Sequence, residues 1–158
     1  MPKISACLWF DNQAEEAMNF YVSIFKNSKI GEIMRNGENG PGPAGGVLTC
    51  TFNLDGQELM GLNGGPHFKF NEAISLVVDC RGQAEVDYYW DRLQEGGGSP
   101  SQCGWLKDRF GLSWQVVPAE LRELMDVPDK AKAGRVMQAM LQMGKNEVAK
   151  LQAAYDGA

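Results

Sequence analysis

The sequence lacks the long apolar runs and the basic surplus that would direct it to a membrane or to nucleic acid. No apolar run reaches the roughly 18 residues that a membrane-spanning helix needs. The start, MPKISACLWFDN, lacks the basic region and long apolar stretch of a signal peptide. A net charge of -5 gives no general attraction for phosphate backbones or anionic lipids. We therefore expect a cytoplasmic protein with neither a nucleic-acid nor a membrane partner.

Cysteine and histidine are scarce and scattered along the chain. Cys7, Cys50, Cys80 and Cys103 are widely spaced and include no CxxC pair, which argues against a four-cysteine zinc site. The first three lie in strand-like runs, where buried thiols of a protein in a reducing cytosol are expected. His67 is the single histidine.

Hydrophobic periodicity predicts strands and helices in an order that occurs twice. In both halves a strand is followed by a helix with an i, i+3, i+4 apolar stripe and then by further strands, three in the first half and two short ones in the second. Asn12 is the predicted N-cap of the first helix. The predicted strands are residues 4–10, 29–35, 47–53 and 57–63, then 73–79, 103–107 and 112–117, and the second helix is 83–95.

A weak internal repeat supports this duplicated order. LWFDN-QAEEAMNFY and LVVDCRGQAEVDYYW share a strand, an aspartate, a QAE that opens the helix and an aromatic pair, at an offset of about 70 residues. Residues 119–158 follow the second copy and predict short amphipathic helices with a methionine-rich stripe. The glycine-rich stretch 36–46 predicts a loop between two strands, either a mobile lid or a passive connector.

Four segments resemble the PhnB-like branch of the vicinal-oxygen-chelate (glyoxalase/bleomycin-resistance/dioxygenase) superfamily. They are LWFDNQAEEAMNFYVSIF, NGGPHFKFNEAISLVVDC, CGWLKDRFGLSWQVVP and DKAKAGRVMQAMLQMGKNEVAKLQAA. Members of this branch often carry the name "3-demethylubiquinone-9 3-methyltransferase domain". The resemblance implies an α+β fold of two βαβββ modules that form a half-open curved mixed sheet, usually in a homodimer. It divides a single glyoxalase-like domain, 1–158, into module one (about 1–64), module two (about 65–118) and a C-terminal helical extension (about 119–158).

The resemblance also implies where a metal would be held. In metal-using relatives each module gives one ligand from its first strand and one from its last, all facing the concave side of the sheet. The matching positions here are Ala6, Ala73, Met60 and Gln115. Alanine cannot bind a metal, and a thioether suits hard divalent ions poorly. We therefore predict no metal and no other cofactor, with a divalent metal at a displaced site as the alternative.

Three side chains are candidates for catalysis, namely Glu58, His67 and Asp108. Glu58 shares a strand face with Met60, and together with His67 and Gln115 it would form the displaced metal site. The imidazole of His67 suits proton transfer near neutral pH, although an exposed loop histidine is the alternative. Asp108 would act as a base if it points into the cavity.

Strand alternation predicts a largely apolar cavity. If Ala6 and Ala73 face inward, the same side carries Ile4, Leu8, Phe10, Ser75, Val77, Asp79, Ser113, Gln115 and Val117. The predicted ligand-binding residues are Leu8, Phe10, Met60, Ser75, Trp105 and Gln115. A barrel filled by its own side chains is the alternative.

Three functions are consistent with these residues. The first, which we expect, is a PhnB-like protein that has lost the usual metal ligands and binds a small apolar or aromatic molecule. The second is a lyase or dioxygenase-type enzyme with the displaced metal site, and the third is a regulatory dimer that associates through the methionine-rich tail. The residues leave open whether the protein is an enzyme. Methyl transfer is not expected, because the glycine-rich stretch does not connect a strand to a helix as in doubly wound cofactor-binding folds.

Overall fold

A computed structural model describes residues 3–158, which form two compact units divided between Phe70 and Asn71. The first unit consists of β1 (Ala6–Phe10), α1 (Ala14–Ile24), β2 (Ser28–Arg35), β3 (Val47–Leu54) and β4 (Gln57–Asn63). Its four strands form one mixed sheet in the order β1-β4-β3-β2, in which β1 runs parallel to β4 and the other pairs are antiparallel. The predicted β-α-β-β-β order is confirmed.

The first helix is capped from the sheet. The backbone N–H of Ala14 donates to Asn63 Oδ1 at 2.9 Å, and Asn63 Nδ2 donates to the carbonyl of Val47 at 3.0 Å. The predicted cap by Asn12 is wrong, because the N-cap position is Gln13 and its side chain makes no capping bond. One side chain from the end of β4 therefore joins α1 to two strands. The helix buries Ala14, Ala17, Met18, Phe20, Tyr21 and Ile24.

Two turns of the first unit follow from their residue types. Between β3 and β4, Asp55 and Gly56 have φ values of 50° and 90°, the left-handed pair that a tight hairpin requires. The Gly56 N–H also donates to Asn53 Oδ1 at 2.7 Å. The glycine-rich loop after β2 is closed at its base, where the Asn36 N–H donates to the Gly46 carbonyl at 2.8 Å.

The second unit repeats the topology of the first. It consists of β5 (Ser75–Cys80), α2 (Gln83–Leu93), β6 (Ser99–Pro100), β7 (Trp105–Lys107) and β8 (Ser113–Pro118). The strand order β5-β8-β7-β6 matches β1-β4-β3-β2 position by position, which supports the repeat inferred from the sequence. The two-residue strand β6 was not predicted, because so short an edge strand carries no periodic signal.

Three helices follow the last strand, as the sequence predicted. They are α3 (Ala119–Met125), α4 (Lys130–Leu141) and α5 (Val148–Asp156). Asp129 caps α4 by accepting the N–H groups of Ala131 at 3.0 Å and Lys132 at 3.3 Å. The helices share a buried cluster of Leu121, Val136, Met143 and Leu151. Within residues 3–158, no helix is both long and apolar enough to cross a membrane.

Candidate binding site in the second unit

One face of the second sheet packs against α2. Val78 and Cys80 of β5 and Val116 of β8 lie on this face and are buried. The helix contacts both strands and supplies its own buried side chains, Val86, Trp90 and Leu93. Because side chains alternate along a strand, the residues that alternate with Val78 and Cys80 in β5, and with Val116 in β8, point to the opposite face.

The opposite face carries the polar side chains of the two strands. Three cross-strand pairs lie on it, namely Ser75–Ser113, Val77–Gln115 and Asp79–Val117. Trp105 of β7 lies beside Gln115 on the other side of β8. The prediction that Ser75, Val77, Asp79, Ser113, Gln115 and Val117 share one face is therefore confirmed.

A cavity of about 590 Å³ lies between this face and the helices that follow it. The sheet side of its lining consists of Val77, Cys103, Trp105, Gln115 and Val117. The helix side consists of Leu121, Arg122, Met125 and Asp126 around α3, and Met140 of α4. The wall is mostly apolar with a few polar groups, which is the composition of small-molecule sites.

The amide of Gln115 is held by one hydrogen bond within the sheet. Its Nε2 donates to the hydroxyl of Ser75 at 2.9 Å, and both side chains are half-buried. Within the described part of the chain, Gln115 Oε1 accepts no hydrogen bond. The cavity therefore presents one oriented carbonyl oxygen, which can accept a hydrogen bond from a ligand hydroxyl, amide or amine.

The helix wall is anchored to the end of β5 by charged groups. Arg122 Nη2 lies 2.7 Å from Asp79 Oδ1. The N–H of Gly82 donates to both carboxylate oxygens of Glu120, at 3.0 and 3.2 Å. Asp126, at the C-cap of α3, is exposed and forms no ion pair or side-chain hydrogen bond within residues 3–158. Arg122 and Asp126 are the two charged side chains that line the cavity, and of these Arg122 is paired and Asp126 is not.

Sequence reasoning missed the helix wall. Leu121, Arg122, Met125 and Asp126 were not among the predicted site residues, because a helical stripe does not show which surface it covers. A signal was nevertheless present, since β8 ends at Pro118 and α3 begins at the next residue. With no connector, the first turns of α3 must lie against the end of the sheet.

In the first unit, Leu8 and Phe10 lie on the face that packs against α1. Leu8 pairs with Gly61, where an added Cβ would lie 3.2 Å from Ala14 Cβ of α1. Met60 pairs with Cys7 and points to the other face. The prediction that Leu8 and Phe10 share a cavity face with Met60 is therefore wrong by one residue of register, and such a shift exchanges the two faces of a strand.

The remaining candidates of the first unit are Glu58 and His67. Glu58 shares the face of Met60, as alternation along β4 predicts, and both side chains are half-buried. His67 is exposed in a turn after β4 and forms no hydrogen bond or ion pair with a described residue. Gln115, the third member of the displaced metal site, belongs to the second unit. The catalytic roles of Glu58 and His67 stay predictions.

Asp108 is buried and its carboxylate holds a hairpin. Oδ1 accepts the N–H groups of Phe110 and Leu112 at 2.9 and 3.0 Å, and Oδ2 accepts Trp114 Nε1 at 2.9 Å. Asp108 does not line the cavity of the second unit. Asp108 was expected to act as a base only if it pointed into the cavity, and this condition is not met in the cavity of the second unit.

The residues at the four metal positions do not form a ligand set for a divalent ion. Ala6 pairs with Leu59 instead of Met60, and Ala73 lies in a turn before β5. Gln115 is the one suitable donor type, and its amide is hydrogen-bonded to Ser75. Among residues 3–158, no three His, Cys, Asp or Glu side chains come together as ligands.

Comparisons with known proteins agree with this fold. The family described as 3-demethylubiquinone-9 3-methyltransferase matches residues 2–117. A PhnB protein from Bacillus cereus is 40% identical, with 75% of this chain and 100% of that chain covered and a TM-score of 0.68. The fosfomycin resistance protein FosX from Listeria monocytogenes, solved with Mn(II) and sulfate, is 13% identical over 75% of this chain and 91% of that chain, with a TM-score of 0.52, and shares the fold alone. No curated protein matches.

Proposed function

The chain belongs to the family described as 3-demethylubiquinone-9 3-methyltransferase, in the PhnB-like branch of the glyoxalase superfamily, and we propose that it binds a small, largely apolar molecule in the cavity of its second unit. The observation that carries this proposal is the cavity between the open sheet face and α3 and α4. Its volume of about 590 Å³ falls within the range of about 300–1,000 Å³ that is usual for ligand sites.

The lining supports a ligand with an apolar body. Val77 and Val117 of the sheet face Leu121 and the flexible methionines of the helices. Trp105 adds an aromatic surface, on which a planar ring can stack. Gln115 supplies one oriented polar contact, so the best ligand carries a polar substituent on an apolar or aromatic body.

Methyl transfer, which the name of the family describes, is not part of the proposed function. A doubly wound cofactor site requires a glycine-rich turn that leads from a parallel strand into a helix. The glycine-rich loop here connects β2 to β3, which pair with each other in antiparallel fashion. The loop therefore offers no helix N-terminus to a cofactor.

The proposal is tested by titrating the purified protein with naphthylmethanol, an uncharged probe with an aromatic body and one hydroxyl. We expect saturable binding by calorimetry and an upward shift in melting temperature. Val77→Phe fills the cavity from the sheet side and should weaken binding about tenfold or more. Ile74→Phe places the same side chain at an exposed position just before β5, outside the lining, and should leave binding unchanged.

Two results would overturn the proposal. One is the absence of any binding of naphthylmethanol and of a wider set of small aromatic alcohols and ketones. The other is equal binding by wild type and a folded Val77→Phe variant, which would place the bound probe outside this cavity. Circular dichroism of both variants checks that they are folded.

We also propose that the chain forms a homodimer through the edge strand β2. Ile30, Ile33 and Met34 are 46, 37 and 60% exposed, although such side chains are usually buried. Light scattering after size exclusion should give twice the chain mass of 17.4 kDa. Ile33→Lys should give the monomer mass, whereas the same change at exposed Ile74 of the second unit should not. A monomeric wild-type protein would contradict this proposal.

A further inference from the structure

Half of the cavity wall comes from helices that follow the part of the chain matched by the family model. The family match ends at residue 117, whereas α3 begins at Ala119. The PhnB protein from Bacillus cereus is covered over its full length by 75% of this chain. Side chains of the extension form the helix side of the lining, so they contribute to the ligand selectivity of the cavity.

The charged groups of this wall differ in their availability to a ligand. Arg122 is paired with Asp79 at 2.7 Å, so an anion that approaches it must compete with that carboxylate. Asp126 has no such partner within residues 3–158. It also follows the last turn of α3, where the free carbonyl groups carry partial negative charge. The wall therefore has one uncompensated charge, and that charge is negative.

The sheet side of the cavity also favours a ligand that is positively charged or carries N–H donors. The Gln115 Oε1 atom, which accepts no hydrogen bond within the described residues, attracts N–H donors. The indole ring of Trp105 has a negative π face, which stabilises nearby cations. The net charge of -5 for the whole chain acts in the same direction over longer distances.

From these observations we propose that the C-terminal extension gives the cavity a preference for a positively charged amine carried on an apolar or aromatic body. This inference rests on the proposed function, because it requires that the cavity bind small molecules. Asp126 is the residue that sets the charge preference. Met125 and Met140, which are unbranched and flexible, adapt the wall to the shape of the apolar body.

The test uses three probes that share one ring system and differ in charge. They are naphthylmethylamine, which is cationic near neutral pH, naphthylmethanol, which is uncharged, and naphthoic acid, which is anionic. At low ionic strength we expect the amine to bind about three- to fivefold more tightly than the alcohol, since Asp126 is exposed. The acid should bind more weakly than the alcohol.

Two substitutions on α3 connect the preference to its proposed source. Asp126→Asn should reduce the affinity of the amine toward that of the alcohol, so that the amine-to-alcohol affinity ratio falls. Glu123→Gln removes the same charge from the same helix, at a residue that pairs with Arg81 and does not line the cavity, and should leave the ratio unchanged. Arg122→Gln frees Asp79 and should raise the affinity for the amine.

The outcomes separate the inference from the function on which it rests. If the alcohol binds and the acid binds as tightly as the amine, the charge preference is wrong and the binding cavity stands. An amine-to-alcohol ratio that Asp126→Asn does not change would also overturn the role of Asp126. If none of the three probes binds the wild-type protein, the proposed function fails, and the inference fails with it.

Discussion

Gln83, at the start of α2, accepts a hydrogen bond from the backbone N–H of Val148 at 2.7 Å and so caps a helix that lies 65 residues further along the chain. Its Nε2 donates to the Asn146 carbonyl at 3.0 Å and to Asp87 Oδ1 at 3.0 Å. Asn146 Nδ2 donates in turn to the Val116 carbonyl at 3.1 Å. The glutamine of the repeated QAE segment thus joins the helical extension to the second module.

Replacing Gln83 should loosen this attachment. Gln83→Ala removes three hydrogen bonds and leaves backbone groups of Asn146 and Val148 unpaired, so we expect the free energy of unfolding to fall by about 2–3 kcal/mol. Urea titration measures this change, and proteolysis of the native protein should cleave earlier between α4 and α5.

Gln13 is the matched control, because it opens the QAE of the first module and its side chain makes no capping bond. Gln13→Ala should change stability by less than about 0.5 kcal/mol, and equal effects of the two substitutions would contradict the prediction.

Asp108 and Trp114 provide a second buried polar contact that can be measured. Asp108→Asn places an N–H donor or a weaker acceptor against Trp114 Nε1, and we expect a loss of about 1–3 kcal/mol in the free energy of unfolding. Trp114→Phe removes the other partner. Because both changes break the same contact, the double variant should lose less free energy of unfolding than the two single variants lose together, by about 1 kcal/mol. Asp55→Asn, in an exposed turn with a φ of 50° that asparagine tolerates, is the control and should be nearly neutral. Fully additive effects would show that the two side chains do not interact.

The strands of the two modules show why one half of the predicted site was placed correctly and the other was not. In β5 and β8, Ser75, Asp79 and Gln115 alternate with the buried Val78 and Val116, so the polar face is visible in the sequence. In β1 the run ISACLWF is apolar at nearly every position. Alternation then shows which residues share a face, but not which of the two faces packs against the helix. The face of Leu8 is decided by Gly61, where the absence of a side chain lets α1 approach the sheet.

The order of the elements other than β6 was predictable because each of them has a strong local signal. The stripe of α1, the left-handed turn at Asp55-Gly56 and the capping residue Asp129 depend on neighbouring residues alone. The cavity depends on which surface α3 and α4 cover, and this depends on contacts between distant segments such as Arg122 and Asp79. Sequence periodicity contains no information on those contacts.

Two glycines, Gly61 in β4 and Gly134 in α4, should respond to alanine in opposite ways. At Gly61 an added Cβ would lie 3.0 Å from the buried Cys50 Sγ and 3.2 Å from Ala14 Cβ, so Gly61→Ala should lower the free energy of unfolding by about 1–3 kcal/mol. At Gly134, inside α4, the added Cβ would meet nothing within 4 Å apart from its chain neighbours and the backbone of its own helix. Gly134→Ala should therefore raise the free energy of unfolding by up to about 1 kcal/mol, because alanine favours the helix. Chemical denaturation of the two variants measures both signs, and a neutral Gly61→Ala would show that α1 can move away from the sheet.

The thiol of Cys80 should make the stability of the protein depend on pH in the alkaline range. Burial raises the pKa of Cys80 from its ordinary value of 9.0 to about 12, and the carboxylates of Glu85, Asp79 and Glu120 add to this effect. Because the folded-state pKa is the higher one, the contribution to stability is fully present below pH 9.0. It decreases as the pH rises toward about 12, since the unfolded chain releases a proton that the folded chain retains.

The prediction is measured by comparing wild type with Cys80→Ala between about pH 8 and pH 11 by urea unfolding. The alanine variant lacks the titrating thiol, so the stability advantage of the wild type over it should shrink above pH 9.0, by at most about 1.4 kcal/mol for each pH unit. Val78→Ala, a truncation of a non-titrating side chain on the same buried face of β5, should show a difference from wild type that does not vary with pH. If the Cys80→Ala difference is also constant over this range, the thiol ionises equally in the folded and unfolded chains, and Cys80 is not shielded from water by α2 as the structure requires.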